Sequence, residues 1–198
     1  MPFKKAFIIV LAGIAFFTLR VTAAQEADIN RLKEAPYQPA ELVGVVLDPS
    51  IDEASGLAAS CKNKDVLWVI NDGGNPPALY AVSPDGETVS EFTIEDAQNI
   101  DWEDMASFRQ DNHDFLMVAD VGDNDASREF CSLYVVEEPD IREFSSKKGN
   151  SLNLSWQMKF RYEDGPRDCE AVAVDSQKHK VLLLSKRTKP PVLCELPL

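Results

Sequence analysis

Short apolar segments rich in Val, Leu, Ile and aromatic residues recur along the chain, and Gly, Asp, Asn and Pro separate them. Residues 87–94 and 151–162 also alternate apolar with polar positions, as half-exposed strands do. Runs of this kind bounded by turn-forming residues predict β-strands joined by tight connections. We therefore expect an all-β protein.

Three elements follow one another in the same order three times, which indicates an internal repeat. The first is an acidic motif ending in Ala, found as EASGLA (53–58), DWEDMA (101–106) and DCEAVA (168–173). Apolar segments follow at 67–74, 115–122 and 181–188, and then at 78–86, 132–140 and 192–198. With a further strand in the first two copies, each unit is typical of a four-stranded β-propeller blade. The predicted blade units are 52–98, 99–165 and an incomplete 166–198.

Three blades are too few for a closed ring, since propellers typically have about four to eight. We therefore expect residues 41–198 to be a partial propeller, either a portion of a larger ring or a chain that assembles with copies of itself. The segment ELVGVVLD (41–48) suits the outer strand of a blade closed by the other end of the chain. Open blade edges and uncovered sheet faces favour self-association. The missing half of the propeller is thus one expected partner.

The first residues have the pattern of a secretory signal peptide. Lys4 and Lys5 precede the apolar run 6–19, and small residues follow at 21–24. A membrane anchor is the alternative, but Arg20 interrupts the apolar run early and no later run reaches membrane length. We expect residues 1–23 to be removed, residues 24–40 to form a polar leader, and the protein to be secreted or periplasmic without a stable membrane anchor.

The chain has 198 residues and a net charge of −13. Residues 1–23 carry three positive charges and no acid, so their removal would change the net charge from −13 to −16. Such acidity disfavours nucleic acid as a partner and favours cation binding. The four cysteines permit three disulfide connectivities, and their spacing matches no zinc motif.

The acidic motif places carboxylates where the first strand of each blade begins, at one mouth of the propeller channel. The first motif position holds Glu53, Asp101 and Asp168, and the next inward-facing position holds Ser55, Glu103 and Glu170. Asp72, Asp120 and Lys186 are expected where the second strands end, at the same mouth. We expect Trp102 to pack between blades, and Asp104 to face a neighbouring blade.

Several carboxylates close together need a cation, a basic partner or raised pKa values. A hard divalent cation bound by oxygen ligands is one interpretation, with Ca²⁺ as the natural candidate. The absence of His near the motifs argues against zinc or copper. The candidate metal ligands are Glu53, Asp101, Glu103, Asp168 and Glu170. An ion-pair network with Lys186, Arg187, Arg167 and Arg128 is the alternative. Candidate residues for binding a small polar ligand are Asp72, Asn75, Asp120, Asp123, Asn124 and Lys186.

The segments EASGLAAS, LWVINDGGN, NIDWEDMA, VADVGDN, YEDGPRDCEAVAVD and LLLSKR together resemble secreted bacterial β-propeller proteins. The resemblance is to the SdiA-regulated and esterase-like phytase groups, and it covers most of residues 41–198. It implies a ring of about six blades in full-length relatives, of which this chain resembles the N-terminal half. Gluconolactonase-type propellers, which hold a divalent metal in the channel, are a more distant analogy.

Three functions fit these features. The first is a binding module that holds a divalent cation and a small polar ligand at the acidic mouth. The second is a metal-dependent hydrolase of a phosphoester, ester or lactone, with Glu103 or Glu170 as general base and the metal as Lewis acid. The third is a periplasmic interaction scaffold in which the charges form only structural ion pairs.

Overall fold

The computed structural model describes residues 4–9 and 16–23 by their backbone and residues 40–198 in full. Within this part of the chain all regular structure is β-strand, apart from one 3-10 turn at Ile141–Glu143. The prediction of an all-β protein is confirmed. The described residues include no helix with the length and apolar character needed to cross a membrane.

Strands β1 (Lys4–Ile9) and β2 (Phe16–Ala23) pair antiparallel with each other. Both lie within the predicted signal peptide, 1–23. The predicted polar leader, 24–40, falls outside the described residues except for Ala40. Signal peptide and leader both stay predictions.

The remaining strands form three successive antiparallel units, each in an order that follows the chain. The first unit consists of β3 (Ala54–Ala59), β4 (Leu67–Asn71), β5 (Ala78–Val82) and β6 (Thr88–Ile94). The second consists of β7 (Trp102–Gln110), β8 (His113–Asp120), β9 (Cys131–Glu137) and, after the short strand β10 (Asn150–Leu152), β11 (Trp156–Phe160). The third consists of β12 (Cys169–Asp175), β13 (Lys180–Ser185) and β14 (Val192–Pro197).

Hydrogen bonding groups these strands into two sheets. The first unit and β10 form a five-stranded sheet in the order β10-β6-β5-β4-β3. The second and third units belong to a nine-stranded sheet in the order β12-β13-β14-β2-β1-β11-β9-β8-β7, because β1 pairs with β11 and β2 pairs with β14.

Two predicted strands differ from the structure. Residues 151–162 divide at Asn153–Ser155, so that β10 pairs in parallel with β6 of the first unit while β11 joins the second unit. Residues 41–48 form no strand and instead run against the turn between β5 and β6. A Cβ at Gly44 would lie 2.6 Å from the Cα of Asp85, so backbone packs directly on backbone there.

The hydrophobic core lies between the units as two clusters. One joins the first and second units through Trp68, Phe92 and Trp102, all of which are fully buried. The other joins the second and third units through residues such as Phe160 and Leu183. The prediction that Trp102 packs between units is therefore confirmed.

The first strands of the three units lie side by side, with β7 against both β3 and β12. The Ser55 hydroxyl donates to the Trp102 carbonyl oxygen at 2.8 Å, which ties β3 to β7. The Val172 amide donates to Asp104 Oδ2 at 2.8 Å, which ties β7 to β12. Asp104 thus faces the neighbouring unit, as predicted. We call β3, β7 and β12 the inner strands.

All four cysteines are free thiols. Cys131, Cys169 and Cys194 are buried in the core between the second and third units, while Cys61 is exposed. Burial raises the pKa of Cys131 to about 12 and that of Cys169 to about 11. These two thiols therefore stay protonated at neutral pH and act as small apolar core residues.

Candidate functional site

Each inner strand contains a β-bulge at the same place in the repeat. The ladder to the second strand skips one residue in each unit, and these residues are Ser55, Glu103 and Glu170. A bulge leaves its extra residue unpaired and changes the direction of its side chain, and bulges are frequent beside functional sites. The predicted inward-facing motif position is therefore the bulge position of each unit.

The residue at the first motif position anchors the bulge through its carbonyl oxygen in all three units. The amide of Asp72 donates to the Glu53 carbonyl oxygen at 2.8 Å in the first unit. The equivalent bonds run from Gly122 to Asp101 and from Lys186 to Asp168, each at 3.1 Å. We call the places where the inner strands begin and the second strands end the rim. The same backbone geometry therefore occurs three times along the rim and carries different side chains.

The sequence alignment of the second strands matches Asp72 with Asp120. The structure shows that this alignment is wrong by one residue. Trp102 pairs with Asp120, whereas the equivalent Ala54 pairs with Asn71 and not with Asp72. Because side chains alternate along a strand, a slip of one residue moves a side chain to the other face. Asp120 is consequently fully buried, like Asn71, while Asp72 lies at the rim.

Two groups of three carboxylates result, and they share one member. One carboxylate oxygen from each of Asp72, Asp101 and Glu103 lies within 4.8 Å of the other two. The same holds for Glu103, Asp168 and Glu170. Two oxygens bound to one Ca²⁺ at about 2.4 Å are separated by at most about 4.8 Å, so each group has the spacing of a calcium ligand set.

Basic residues neutralise the carboxylates of the third unit. Lys186 Nζ lies 2.7 Å from Glu170 Oε1, and Arg187 Nε lies 2.7 Å from Asp168 Oδ2. The lysine contact raises the pKa of Lys186, mainly through its hydrogen bond to Glu170. The group of Glu103, Asp168 and Glu170 thus already contains two ion pairs.

Asp120 has a buried ion pair of its own behind this rim. Its Oδ1 accepts from Arg128 Nη1 at 2.9 Å and from the Asp101 amide at 2.9 Å. Its Oδ2 is buried and has no hydrogen-bond partner among the described residues. Burial raises the pKa of Asp120, and the contact with Arg128 opposes that rise.

The group of Asp72, Asp101 and Glu103 has no such neutralisation. Within the fully described residues, 40–198, no Lys, Arg or His nitrogen lies within 4.0 Å of these three carboxylates. Desolvation and the neighbouring carboxylates, Glu170 first among them, raise the pKa of Glu103 to about 8. Desolvation and then Asp72 also raise the pKa of Asp101. The charge of Arg128 opposes the rise at Asp101, so the negative charge of this group is partly compensated from a distance but is not ion-paired within residues 40–198.

Two glycines enclose the Asp101 carboxylate. A Cβ at Gly73 would lie 2.7 Å from Asp101 Oδ1, and a Cβ at Gly122 would lie 2.5 Å from Asp101 Oδ2 and closer still to Glu103 Oε1. Any larger residue would displace the carboxylates, so both positions require close backbone approach. The sequence predicts only turns at these two glycines. Their role in bringing the backbone close to the carboxylates is visible only from the contacts.

Asn99 is a further residue whose role the sequence did not indicate. Its Nδ2 donates to the Asp72 carbonyl oxygen at 2.8 Å, and its Oδ1 accepts from the Trp102 amide at 3.1 Å. It therefore fixes the rim of the first unit relative to the inner strand of the second. The only signal in the sequence was its place at the start of the NIDWEDMA segment.

The structure leaves the other predicted site residues outside the two groups. Glu53 is exposed, and its carboxylate accepts from Asn75 Nδ2 at 3.1 Å. Asp123 is buried and accepts from the Ser127 and Arg128 amides, so it shapes the loop after β8. The side-chain oxygen of Asn124 accepts from Arg187. Asp72 is the one predicted polar-ligand residue that joins a carboxylate group.

The comparisons with known proteins do not assign this site to a family. No protein-family model matches the chain, and neither the curated proteins nor the solved structures contain a significant match.

Proposed function

We propose that the three units are blades of a partial β-propeller and that the protein is exported. Three observations support the blades: antiparallel units in chain order, inner strands side by side, and a bulge at the same position of each inner strand. Export rests on the sequence pattern of residues 1–23.

We propose that this protein binds a divalent cation, Ca²⁺ first among them, at the mouth of the blade array. Asp72, Asp101 and Glu103 are the ligands in this proposal. The observation that carries it is their spacing within 4.8 Å, with no basic side chain from residues 40–198 in contact. Desolvation, followed by repulsion from the neighbouring carboxylates, raises the pKa of Glu103, and an ion with oxygen ligands would offset both.

A small anionic or polar ligand is the second component of the proposal. Lys186 and Arg187 lie at the same rim, and their side chains are 51% and 55% exposed despite their ion pairs. A bound cation and these two basic groups together suit a ligand with acidic oxygens. Ion pairs alone account for Asp168 and Glu170, but within residues 40–198 they leave Asp72, Asp101 and Glu103 without a basic side chain in contact.

Calcium titration followed by thermal unfolding and by calorimetry tests the cation site. Ca²⁺ at a hundred times its dissociation constant should stabilise the folded chain by about 2.7 kcal/mol. Glu103→Gln should abolish this stabilisation. Glu87→Gln removes the same charge at an exposed position outside the site and should retain it. A wild type that does not respond to Ca²⁺, Mg²⁺ or Mn²⁺ would contradict the proposal.

Hydrolysis of a phosphoester, ester or lactone is the alternative function, and one property of Glu103 favours it. Its pKa of about 8 lies near neutral pH, where a general base or acid is most effective. Glu170 is less suited to this role because Lys186 occupies its carboxylate. A substrate screen with Ca²⁺ and with EDTA tests this function. Turnover that requires metal and is lost in Glu103→Gln would support it, whereas calcium binding without turnover would favour the binding module.

A further inference from the structure

Arg128 connects two parts of the backbone that surround the proposed cation ligands. Its Nη1 donates to the Gly122 carbonyl oxygen at 2.7 Å and lies 2.9 Å from Asp120 Oδ1. The same Asp120 oxygen accepts from the Asp101 amide at 2.9 Å. One guanidinium group thus links the loop wall at Gly122 to the start of the inner strand at Asp101.

Arg128 is itself held in a fixed position. Its amide donates to Asp123 Oδ2 at 3.0 Å, and the Asp123 amide donates to Asp168 Oδ1 at 3.0 Å. The Arg128 side chain is only 14% exposed. The guanidinium group therefore extends from a backbone that is tied to the third unit, and it has little room to move.

The position of Asp120 holds neutral residues in the other two units. The residue that pairs with the one just before the bulge is buried and polar in each unit, namely Asn71, Asp120 and Ser185. Asn71 Nδ2 donates to the Ser50 carbonyl oxygen at 2.8 Å, and Ser185 Oγ accepts from the Val192 amide at 2.8 Å. Neutral side chains therefore suffice to build this backbone geometry.

The buried pair of Asp120 and Arg128 has no charged counterpart at the equivalent position of the first and third units. Burying two charges costs desolvation free energy that their mutual attraction does not always recover. The pair occurs in the second unit, which supplies two of the three proposed ligands, Asp101 and Glu103. Its place in the repeat therefore follows the site and not a requirement of the fold.

We propose that the Asp120–Arg128 pair positions the cation ligands by fixing the backbone at Asp101 and at Gly122, so that cation affinity depends on this pair. The inference rests on the proposed cation site. Gly122 lies against Glu103 Oε1 and Asp101 Oδ2, and a shift of its backbone would displace both carboxylates. Asp120 and Arg128 are positioning residues, since they act through the backbone and bind no ion. Removing groups that hold metal ligands in place commonly costs about 10–100-fold in affinity.

The positive charge of Arg128 has an effect on cation binding that is opposite in sign to positioning. A positive charge near the site repels a cation, and the same charge acts to lower the pKa of Asp101. Removing that charge alone should therefore leave Ca²⁺ binding unchanged or make it tighter. Loss of positioning should instead weaken Ca²⁺ binding.

Calorimetric Ca²⁺ titration of the full chain and its Arg128 variants tests the positioning role. Arg128→Met should weaken Ca²⁺ binding by about 10–100-fold. Arg128→Lys keeps the charge but lacks the guanidinium fork, so its affinity should lie between those of Arg128→Met and the wild type.

A double variant, Asp120→Asn with Arg128→Met, decides the question if the unpaired Asp120 carboxylate prevents Arg128→Met from folding. It leaves no buried unpaired charge, and the Asn side-chain oxygen can still accept from the Asp101 amide. Its Ca²⁺ affinity should also fall by about tenfold or more, because the Gly122 carbonyl oxygen has lost its donor.

Terbium luminescence provides a measurement that a loss of stability alone does not change. Tb³⁺ binds oxygen ligands as Ca²⁺ does, and its luminescence lifetime shortens as more water molecules bind the ion. Water replaces any carboxylate that moves off the ion. The lifetime should therefore be shorter in Arg128→Met than in the wild type.

Two variants are the controls. Arg142→Met removes an exposed arginine that also pairs with an aspartate, Asp140, and Glu138→Ala removes a buried carboxylate outside the site. Both should keep the wild-type Ca²⁺ affinity and Tb³⁺ lifetime, the second despite its lower stability. Circular dichroism establishes that each variant is folded at the temperature of the titration.

The outcomes separate the positioning role from the cation site itself. A wild type that binds neither Ca²⁺ nor Tb³⁺ would overturn both. A wild type that binds, together with folded Arg128 variants of unchanged or higher affinity, would overturn the positioning role and leave the cation site standing. An equal loss of affinity in Glu138→Ala would trace the effect to stability and would likewise overturn the positioning role alone.

Discussion

Gly122 lies directly against the carboxylate of Glu103, so that a Cβ at position 122 would overlap Oε1 of that side chain. The same Cβ would lie 2.5 Å from Asp101 Oδ2. The backbone of the loop after β8 therefore forms one wall of the carboxylate group.

Gly122→Ala should consequently disturb the site as well as the fold. Overpacking at such a position costs about 1–3 kcal/mol of unfolding free energy. Because both displaced carboxylates are proposed ligands, the variant should also lose the stabilisation by Ca²⁺. Urea unfolding with Ca²⁺ and with EDTA measures both effects.

Gly149→Ala provides the control for this substitution. A Cβ at Gly149 would meet no atom within 4 Å, but the residue has a φ of +78°. Backbone strain should therefore destabilise this variant by about 1–2 kcal/mol while its calcium response persists. If Gly122→Ala keeps the wild-type response to Ca²⁺, the glycine does not shape the site.

The raised pKa of Glu103 predicts a pH dependence of stability in the absence of cations. Its carboxyl group holds a proton in the folded protein up to a pKa of about 8, whereas in the unfolded chain it ionises near 4.5. The stability it contributes is therefore fully present below pH 4.5 and is lost as pH rises towards 8. Glu103→Gln lacks this titration.

Urea unfolding in EDTA across this pH range measures the effect. The wild type should lose stability relative to Glu103→Gln as pH rises, and Ca²⁺ should reduce that loss because it favours the ionised carboxylate. Asp101 and Asp120, whose pKa values are also raised, contribute with the same sign to both proteins. A difference between the two proteins that is independent of pH would contradict the assignment.

Glu138 predicts a large stability effect away from the site. It is fully buried and accepts from Trp68 Nε1 at 2.8 Å, from the Cys61 amide at 3.0 Å and from the Ser60 hydroxyl. Glu138→Ala leaves these donors unsatisfied, so unfolding free energy should fall by at least about 3 kcal/mol.

The neighbouring Glu137 is the control for Glu138. Its side chain is 56% exposed, and its Oε1 lies 3.5 Å from His113 Nδ1. Glu137→Ala should change stability by less than about 0.5 kcal/mol. Chemical denaturation compares the two variants, and equal effects would show that the buried hydrogen bonds are not the cause.

The repeat explains why much of the site could be predicted from the sequence. The acidic motif recurs with its spacing intact, which predicts that Asp101, Glu103, Asp168 and Glu170 lie at one rim. Local composition also indicated strands, since apolar runs and turn formers alternate along residues 41–198.

The sequence-based predictions of site residues are wrong where a shift of one residue, or a longer side chain, changes which groups reach the rim. The bulge shifts the register by one position, which places Asp120 inside and Asp72 at the rim. Glu53 shares its motif position with Asp101, but its longer side chain reaches Asn75 and not the carboxylate group. Periodicity does not encode such contacts, because they depend on side-chain length and on loop backbone positions such as that of Gly122.

The three bulges divide between two tasks: Glu103 and Glu170 carry charge at the rim, whereas the Ser55 hydroxyl bonds to the Trp102 carbonyl oxygen and joins two units. Ser55, Glu103 and Glu170 are unpaired in the ladder, while the residues on either side of each bulge carry the pairing and the packing. A substitution of Glu103 or Glu170 therefore alters the charge at the mouth while the paired residues beside it keep the ladder. One backbone geometry thus presents a hydroxyl in the first unit, a carboxyl group in the second and an ion pair in the third.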